Sequence, residues 1–280
     1  MFKVLVDSCG DFPEEMKKDP RFEHIPLTIA IDDYEIVDDD SFDQADWLRR
    51  VEASPNAPKS ACPSPGTYIE AMDCDADRIY MVTLSARLSG SYNSACLAKS
   101  LYEDDDDNDE KQIYVFDSKS ASIGETLIAM KIAELEEEGL SFEDVVSGVE
   151  DYIASQHTFF CLESLDHLRK AGRLSNLKAM IAGTLNIKPI MGSTDEGDIC
   201  QLAQTRGMNK ALEKMAECMI SVTKECENRI LAISHCNAPD VAQKLKECVE
   251  KVGTFKDIFI VDTAGVSSLY AADGGVIMVV

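Results

Sequence analysis

Short apolar segments alternate with amphipathic ones along the first half of the chain. Phe2–Val6, Ile79–Leu84 and Ile113–Phe116 are rich in β-branched and aromatic residues, which is typical of short buried strands. Thr126–Glu138 and Ser141–Ile153 carry apolar residues at helical spacing. The repeated strand–loop–helix order predicts an α/β fold, with a mostly parallel sheet covered by helices on both faces.

The second half predicts a smaller α/β domain with a mixed sheet. Its predicted strands are Thr158–Leu162, Arg229–Ser234, Ile258–Val261 and Val276–Val280, and its predicted helices include Asn209–Glu225 and Val241–Val252. The segment Leu177–Ile190 predicts a helix that is apolar on every face, as in a core helix or the wall of an apolar cavity. We place the boundary near Ser155, which gives domains at residues 1–155 and 156–280.

Three further stretches of the first half are interpreted from local chemistry. Ile25–Ile31 alternates weakly and predicts one strand. Asp38–Asp40 predicts a solvated turn, because its carboxylates lack a regular metal-ligand spacing. Lys59–Pro65 is predicted to be neither helix nor strand, because its two prolines break both. This last stretch is therefore expected to be a hydroxyl-bearing loop that contains Ser60 and Ser64.

Serine and glycine are concentrated after the Ile79–Leu84 strand, at Ser89, Gly90 and Ser91, and a helix-forming run follows them. The first backbone N–H groups of a helix lack partners within it, and the helix dipole is positive there. The turn is therefore suited to hold a carboxylate or a phosphate. The same residues also fit a plain helix N-cap formed by Ser89 or Ser91, and both interpretations stay open at this point.

Composition excludes several classes of partner. The chain has 280 residues and a formal net charge of −24 at pH 7, whereas nucleic acids and anionic membrane surfaces attract basic proteins. No apolar run approaches the roughly 20 residues needed to span a bilayer, so stable membrane insertion is not expected. No signal peptide precedes Phe2–Asp7, which favours the cytoplasm. The 10 cysteines form no Cys-x-x-Cys pair, so no metal site is predicted.

Read together, the loops resemble those of the DegV family. The resemblance covers nearly the whole chain in the family's order, and it rests on several short motifs. The matching segments are Asp7, Ser8 and Asp11; Ser60-Ala61-Cys62-Pro63-Ser64; Leu88-Ser89-Gly90-Ser91-Tyr92; Asp117 and Ser118; Leu168 to Arg173; Leu185-Asn186-Ile187-Lys188-Pro189-Ile190; and Thr205-Arg206-Gly207.

The resemblance implies a non-enzymatic, two-domain protein that binds a long-chain fatty acid between its domains, without a cofactor. It further implies that the acid is presented to a separate fatty acid kinase, which phosphorylates the carboxylate. Carried over residue by residue, Ser60 and Ser89 would hold the carboxylate, with Gly90 and Ser91 as secondary candidates. Arg173 and Arg206 would lie near the head group or the surface that faces the kinase.

The C-terminal part departs from the family pattern. Members that work with the kinase carry His-x-Gly-Pro-Gly near the C-terminus, whereas this chain has Tyr270-Ala271-Ala272-Asp273-Gly274-Gly275 there, without histidine. A contact to the head group or phosphate is therefore expected to be missing, which bears more on the kinase partnership than on lipid binding.

Three alternatives remain open from the sequence. A serine hydrolase would need a base near Ser89 or Ser60, for which His235 is the best candidate, although no Gly-x-Ser-x-Gly elbow is present. A binding protein or sensor for another amphipathic anion, or for a phosphate-bearing metabolite, would use the same loops. Nucleotide-binding glycine motifs are absent. The third alternative is a structural or signalling protein in which a lipid only fills space.

Overall fold

The computed structural model describes residues 1–105, 108, 110–174 and 186–280. The strands in these residues are β1 (Phe2–Asp7), β2 (Phe22–Ile25), β3 (Thr28–Ile31), β4 (Tyr34–Val37), β5 (Lys59–Ala61), β6 (Arg78–Thr83), β7 (Gln112–Asp117), β8 (Thr158–Cys161), β9 (Ile187–Ser193), β10 (Ile199–Arg206), β11 (Ile230–His235), β12 (Asp257–Asp262) and β13 (Val276–Val279). The α-helices are α1 (Glu14–Lys18), α2 (Gln44–Ala53), α3 (Pro65–Met72), α4 (Ser91–Glu103), α5 (Ile123–Glu137), α6 (Phe142–Ser155), α7 (Asp166–Lys170), α8 (Met208–Val222), α9 (Pro239–Val252) and α10 (Gly265–Ala271).

The first sheet is parallel, in the order β2-β1-β6-β7, as predicted. Alternate residues of β1 face opposite sides, because side chains along a strand alternate. Leu5 packs with α3 and α4 on one side, whereas Val4 and Val6 pack with α5 and α6 on the other. Helices therefore cover both faces of the first sheet, which confirms this part of the predicted fold class.

The second sheet is mixed and has six strands, in the order β10-β9-β8-β13-β11-β12. Only β11 and β12 pair in parallel among the described strands of this sheet. Helices α8 and α9 cover one face, and α5 contributes Ile123 and Leu127 to the other face, where they pack with Ala232 and Val279. Since α5 packs on both sheets, the exact domain boundary near Ser155 stays a prediction.

A third sheet, in the order β4-β3-β5, is antiparallel and was not expected from the sequence. The prediction of one strand over Ile25–Ile31 is wrong, because the chain leaves the first sheet at Pro26 and resumes as β3 in the third. The exclusion of strand from Lys59–Pro65 is wrong as well. Residues 59–61 pair with β3 as an edge strand that ends before Pro63, so neither proline has to enter the ladder.

Two further predictions need correction or lie outside the described residues. Ile187–Ile190 forms the start of strand β9 and not the end of a helix. These residues pair with β10 in antiparallel register. The remainder of that predicted apolar helix, at 177–185, falls outside the described residues. None of the described helices combines the length and the apolar character needed to cross a membrane.

Candidate functional site

The structure contains a cavity with about 820 Å³ of space free of protein atoms, a volume that includes open solvent. Both halves of the chain line it, and its walls are mostly apolar. The apolar side chains include Leu84, Leu88, Phe160, Leu162, Leu168, Ile199, Val266 and Ile277, and the polar ones include Ser60, Ser89, Ser120, Ser122, Thr158, Lys119, Arg173 and Tyr270. The cavity combines a mostly apolar wall with a small number of polar groups, as ligand-binding sites usually do.

Ser60 and Ser89 both line this cavity, although they are 29 positions apart in the sequence. Ser60 lies on β5, and its Oγ is 3.0 Å from the Tyr270 hydroxyl. Ser89 lies in the loop between β6 and α4, and its Oγ is 3.0 Å from Ser91 Oγ. The Ser91 backbone N–H donates to Ser89 Oγ at 3.2 Å. Two hydroxyl groups that the sequence singled out therefore face one space.

Gly90 allows the Ser89 loop to lie close to the segment that follows β5. A Cβ built at Gly90 would come within 3.0 Å of Cys62 Sγ, a contact tighter than side chains normally make. Gly90 is the N-cap of α4, without a side-chain capping bond, so neither serine is the conventional cap that the alternative interpretation required. Gly90 and Ser91 themselves are not among the described lining residues, and Ser91 is buried behind Ser89.

The two arginines separate in the structure. Arg173 lines the cavity, donates from Nε to the Leu88 carbonyl at 3.1 Å, and holds its guanidinium 5.8 Å from the centre of the Tyr270 ring. Arg206 is exposed at the end of β10 and is absent from the described lining of the cavity. The described cavity lining therefore gives no support to a head-group role for Arg206, and its role stays a prediction.

Tyr270 is one of several polar cavity residues that sequence reasoning missed. It occupies the stretch where the family's histidine motif was sought, and its hydroxyl contacts Ser60 at 3.0 Å. The polar side chain that this stretch places in the cavity lining is therefore a phenol and not an imidazole. Only the alignment of the Tyr270 stretch with the histidine motif could have pointed to it, since nothing in α10 itself resembles a binding motif.

Helix α10, which carries Tyr270, is attached to the first half by two buried carboxyls. Asp38 accepts the Gly265 and Val266 N–H groups, each at 2.8 Å, and also the Ser8 hydroxyl at 2.9 Å. Asp11 accepts the Ala264 N–H at 2.6 Å. Burial raises the pKa of Asp11 to about 7 and that of Asp38 to about 6. The prediction of a solvated turn is thus wrong for Asp38, which is only 1% exposed.

A second acidic cluster lies behind the Ser89 loop. Asp7, Cys9 and Glu125 are buried, and they place one donor atom each within 4.8 Å of the others. Such a group could hold a metal, but its donors already have partners at two of the three residues. Asp7 accepts N–H groups from Cys9 and Leu84, and Cys9 Sγ accepts the Ser122 N–H at 3.4 Å. We therefore assign it no metal.

The described cavity lining contains no histidine that could serve as the base of a serine hydrolase. His235 ends β11, where its Nδ1 accepts the Ala238 N–H at 3.3 Å and lies 3.4 Å from an Asp262 oxygen. None of the 4 histidines belongs to the described lining of the cavity. A serine nucleophile needs a base within hydrogen-bonding distance, so Ser60 and Ser89 have no such partner among the histidines.

Comparison with known proteins agrees with this architecture. A family model described as an uncharacterised protein of the DegV family matches residues 1–279. The chain belongs to the DegV family. A DegV domain-containing protein of Streptococcus pneumoniae is 34% identical over 279 residues, which cover 99% of this chain and 98% of the relative. The family resemblance seen in the loop motifs is thereby confirmed.

Solved structures of DegV proteins have the same fold and were obtained with fatty acids. A Ruminococcus gnavus DegV family protein, refined with vaccenic acid, superposes with a TM-score of 0.97 at 53% identity, covering 100% of this chain and 99% of that one. The Streptococcus pneumoniae Fatty Acid Kinase (Fak) B3 protein, loaded with linoleic acid, gives 0.89 at 33% identity, with coverage of 100% and 98%. A Eubacterium eligens DegV family protein loaded with heptadecanoic acid gives 0.90 at 29% identity, with coverage of 100% and 99%.

Proposed function

We propose that this DegV protein binds a long-chain fatty acid in the cavity between its sheets. Ser60 and Ser89 hold the carboxylate, and the apolar walls from the second half enclose the chain. The observation that carries the proposal is the cavity itself, because it joins two hydroxyl groups, one from strand β5 and one from the loop before α4, to a mostly apolar lining. The fatty acids bound by DegV relatives support the same ligand class.

The carboxylate head and the alkyl tail of the ligand contribute unequally to the free energy of binding. Burying about 14 methylenes at roughly 0.8 kcal/mol each contributes on the order of 11 kcal/mol before the entropic costs of binding. Each hydrogen bond to the carboxylate contributes far less, roughly 1.5–3 kcal/mol. The tail therefore supplies most of the affinity, whereas the serines fix which end of the ligand faces the mouth. The proposed role needs no cofactor or metal.

We further propose that the protein acts as a carrier, not an enzyme, and presents the acid to a separate fatty acid kinase. The Fak B3 protein of Streptococcus pneumoniae, a structural neighbour, supports this assignment by its name. Arg206, exposed beyond the cavity, is a candidate contact for the kinase. The 10 free cysteines fit a reducing compartment, and we place the protein in the cytoplasm on that ground.

Mass spectrometry of gently extracted protein tests the ligand class. We expect a fatty acid of roughly 14 to 18 carbons, because the apolar wall must enclose a tail of that order. A co-purifying soluble phosphate ester, with no acyl chain, would instead favour the alternative of a binding protein for another anion.

Serine substitutions test the head-group contacts. Ser89→Ala and Ser60→Ala should each weaken retention of a fluorescent fatty acid by roughly 5- to 150-fold, the equivalent of 1–3 kcal/mol for one carboxylate oxygen left without its donor. Ser64→Ala is the matched control, because Ser64 caps α3 by accepting the Thr67 N–H and is absent from the described cavity lining. Equal affinity of Ser89→Ala and Ser64→Ala would remove Ser89 from the site.

The kinase role has a separate assay. With a fatty acid kinase and ATP, the loaded protein should yield an acyl phosphate that hydroxylamine traps as a hydroxamate. Arg206→Ala should lower the yield without changing fatty acid affinity. Normal loading with no acyl phosphate from any bacterial fatty acid kinase would separate lipid binding from kinase presentation.

A further inference from the structure

The cavity wall contains a second pair of hydroxyl groups, apart from those of Ser60 and Ser89. Ser120 follows β7 and Thr158 begins β8, and both residues line the cavity. Ser120 Oγ lies 2.7 Å from Thr158 Oγ1, and both residues are buried. Each half of the chain therefore supplies one hydroxyl of this pair.

The side chain of Thr158 lies on the cavity face of β8. Side chains alternate between the two faces along a strand. Phe159 and Cys161 pack with residues of α8 and α9 on one face. Thr158, Phe160 and Leu162 alternate with them and line the cavity on the other face. The hydroxyl pair is therefore part of the cavity wall.

Strand β8 also gives the distance from this pair to the proposed carboxylate site. Leu162 and Tyr270 belong to one apolar cluster, and the Tyr270 hydroxyl lies 3.0 Å from Ser60 Oγ. Thr158 precedes Leu162 by four residues, which is about 13 Å along an extended chain. That length corresponds to roughly ten carbon–carbon bonds of an extended alkyl chain. The pair therefore lies beside the middle of a long acyl chain whose carboxylate is held at Ser60.

The pair holds one hydroxyl hydrogen that none of the described residues accepts. Each hydroxyl has a single hydrogen, and only one of the two hydrogens lies between the two oxygens. Gln156 Oε1 is a buried acceptor on the far side of the space above Gly124, but it bonds neither hydroxyl of the pair. The remaining hydrogen is therefore available to the ligand that occupies the cavity.

An unsubstituted alkyl chain would leave this hydrogen without an acceptor in a mostly apolar wall, which costs free energy. A hydroxyl group on the chain removes that cost. Three hydroxyls in contact each donate one hydrogen to the next, so that no hydrogen is left over. The wall is thus complementary to an acyl chain that carries an oxygen at this depth.

We propose that the cavity accepts fatty acids with a hydroxyl group near the middle of the acyl chain, and that Ser120 and Thr158 bind that hydroxyl. The inference rests on the proposed fatty acid function and narrows its ligand class. Because Ser60 and Ser89 fix the carboxylate, only a hydroxyl at the matching distance along the chain reaches the pair.

Competition with cis-parinaric acid on delipidated protein tests this inference. The dissociation constant of 10-hydroxystearic acid is divided by that of stearic acid, for the wild type and for the double variant Ser120→Ala/Thr158→Val. Both hydroxyls must be removed, because either one alone would keep a hydrogen for the ligand. We expect the ratio to rise roughly 5- to 150-fold in the double variant, where the ligand hydroxyl is buried without a partner. The ratio cancels any general loosening of the cavity, since both ligands share the same tail.

The chain offers a matched control pair at Ser64 and Thr67. Their hydroxyls lie 3.0 Å apart at the exposed start of α3, outside the described cavity lining. Ser64→Ala/Thr67→Val should therefore leave the ratio unchanged. The positional control is 2-hydroxystearic acid, whose hydroxyl lies beside the carboxylate. Its ratio to stearic acid should be the same in the wild type and in Ser120→Ala/Thr158→Val.

Each other outcome has a distinct meaning. An equal 10-hydroxystearic ratio in the wild type and in Ser120→Ala/Thr158→Val would overturn the inference, while stearic acid binding would leave the proposed function intact. An equally large change for 2-hydroxystearic acid would overturn the position of the pair at mid-chain. Should the double variant not fold, the wild type is loaded from an equimolar mixture of 10-hydroxystearic and stearic acid. Mass spectrometry should then recover at least as much of the hydroxylated acid, and a smaller recovery would overturn the inference. Failure of the wild type to bind stearic acid would overturn the proposed function itself.

Discussion

Leu127 is one of the residues through which α5 connects the two large sheets. It is 2% exposed and packs with Ala232 and Val279 of the second sheet, whereas the next residue, Ile128, packs on the first. Replacing Leu127 by alanine therefore loosens one sheet from the helix without touching the contact to the other. Because both halves of the chain line the cavity, the same change should also loosen its walls.

The expected cost follows from the size of the deletion. Leu→Ala removes apolar groups worth roughly 2.4 kcal/mol at about 0.8 kcal/mol per methylene, and the space left behind adds to this. We expect the free energy of unfolding to fall by roughly 3 kcal/mol, a large share of the 5–15 kcal/mol that stabilises a typical domain. With a urea m-value of about 3 kcal/mol/M, the midpoint would fall by roughly 1 M.

Urea unfolding followed by tryptophan fluorescence measures this loss. Trp47 is the sole tryptophan, and it is buried in the cluster that includes Ile29 and Val266, so it reports on the region between the third sheet and α10. Leu97→Ala, on the outer face of α4 where Leu97 is 52% exposed, is the control and should change the midpoint little. A Leu127→Ala loss below roughly 1 kcal/mol, or equal to that of Leu97→Ala, would refute the packing argument.

Two further predictions concern the contacts between the halves. The pKa of Asp11 is raised from 3.8 to about 7, so its folded form holds a proton that the unfolded chain lacks, and stability falls as pH rises through 7. Between pH 6.5 and pH 8, the free energy of unfolding of the wild type should fall by about 0.8 kcal/mol relative to that of Asp11→Asn, which has the same histidines. Urea midpoints that change with pH by the same amount in both proteins would contradict this prediction. Gly197 has φ +87°, and an added Cβ would clash with Ser85 Oγ, so Gly197→Ala should cost roughly 2 kcal/mol or more by thermal unfolding. An unchanged midpoint would show that the hairpin between β9 and β10 can shift without cost.

Local periodicity was sufficient to predict the main elements of the fold. The first sheet, the helices on both of its faces and the mixed second sheet are indicated by apolar residues that repeat every two positions in strands and every 3.6 positions in helices. Such patterns depend only on residues that are near one another in the sequence. The loop position of Ser89 was also predicted, since hydroxyl-rich turns stand out between apolar segments, whereas Ser60 lies on strand β5 and not in the predicted loop. The family followed from the order of those turns.

The third sheet could not be predicted from local sequence patterns. Proline was taken to exclude a strand at Lys59–Ala61, but a three-residue edge strand can end before Pro63. Asp38 appeared to be solvated because it begins an acidic run, yet it receives N–H groups from residues 227 and 228 positions away. No local pattern carries that information, because the partner is supplied by α10 from the opposite end of the chain.

The sequence by itself determined the periodic elements, the polar turns and the family, because each depends on neighbouring residues. Only the tertiary structure decided which turns share a cavity, why Arg173 enters it while Arg206 stays outside, and that Tyr270 contacts Ser60. The burial of Glu125 against Asp7 was likewise invisible in the sequence, since a glutamate in a helix is ordinarily a surface residue. These features arise when α5 and α10 pack between sheets, and such packing is set by contacts between residues more than a hundred positions apart.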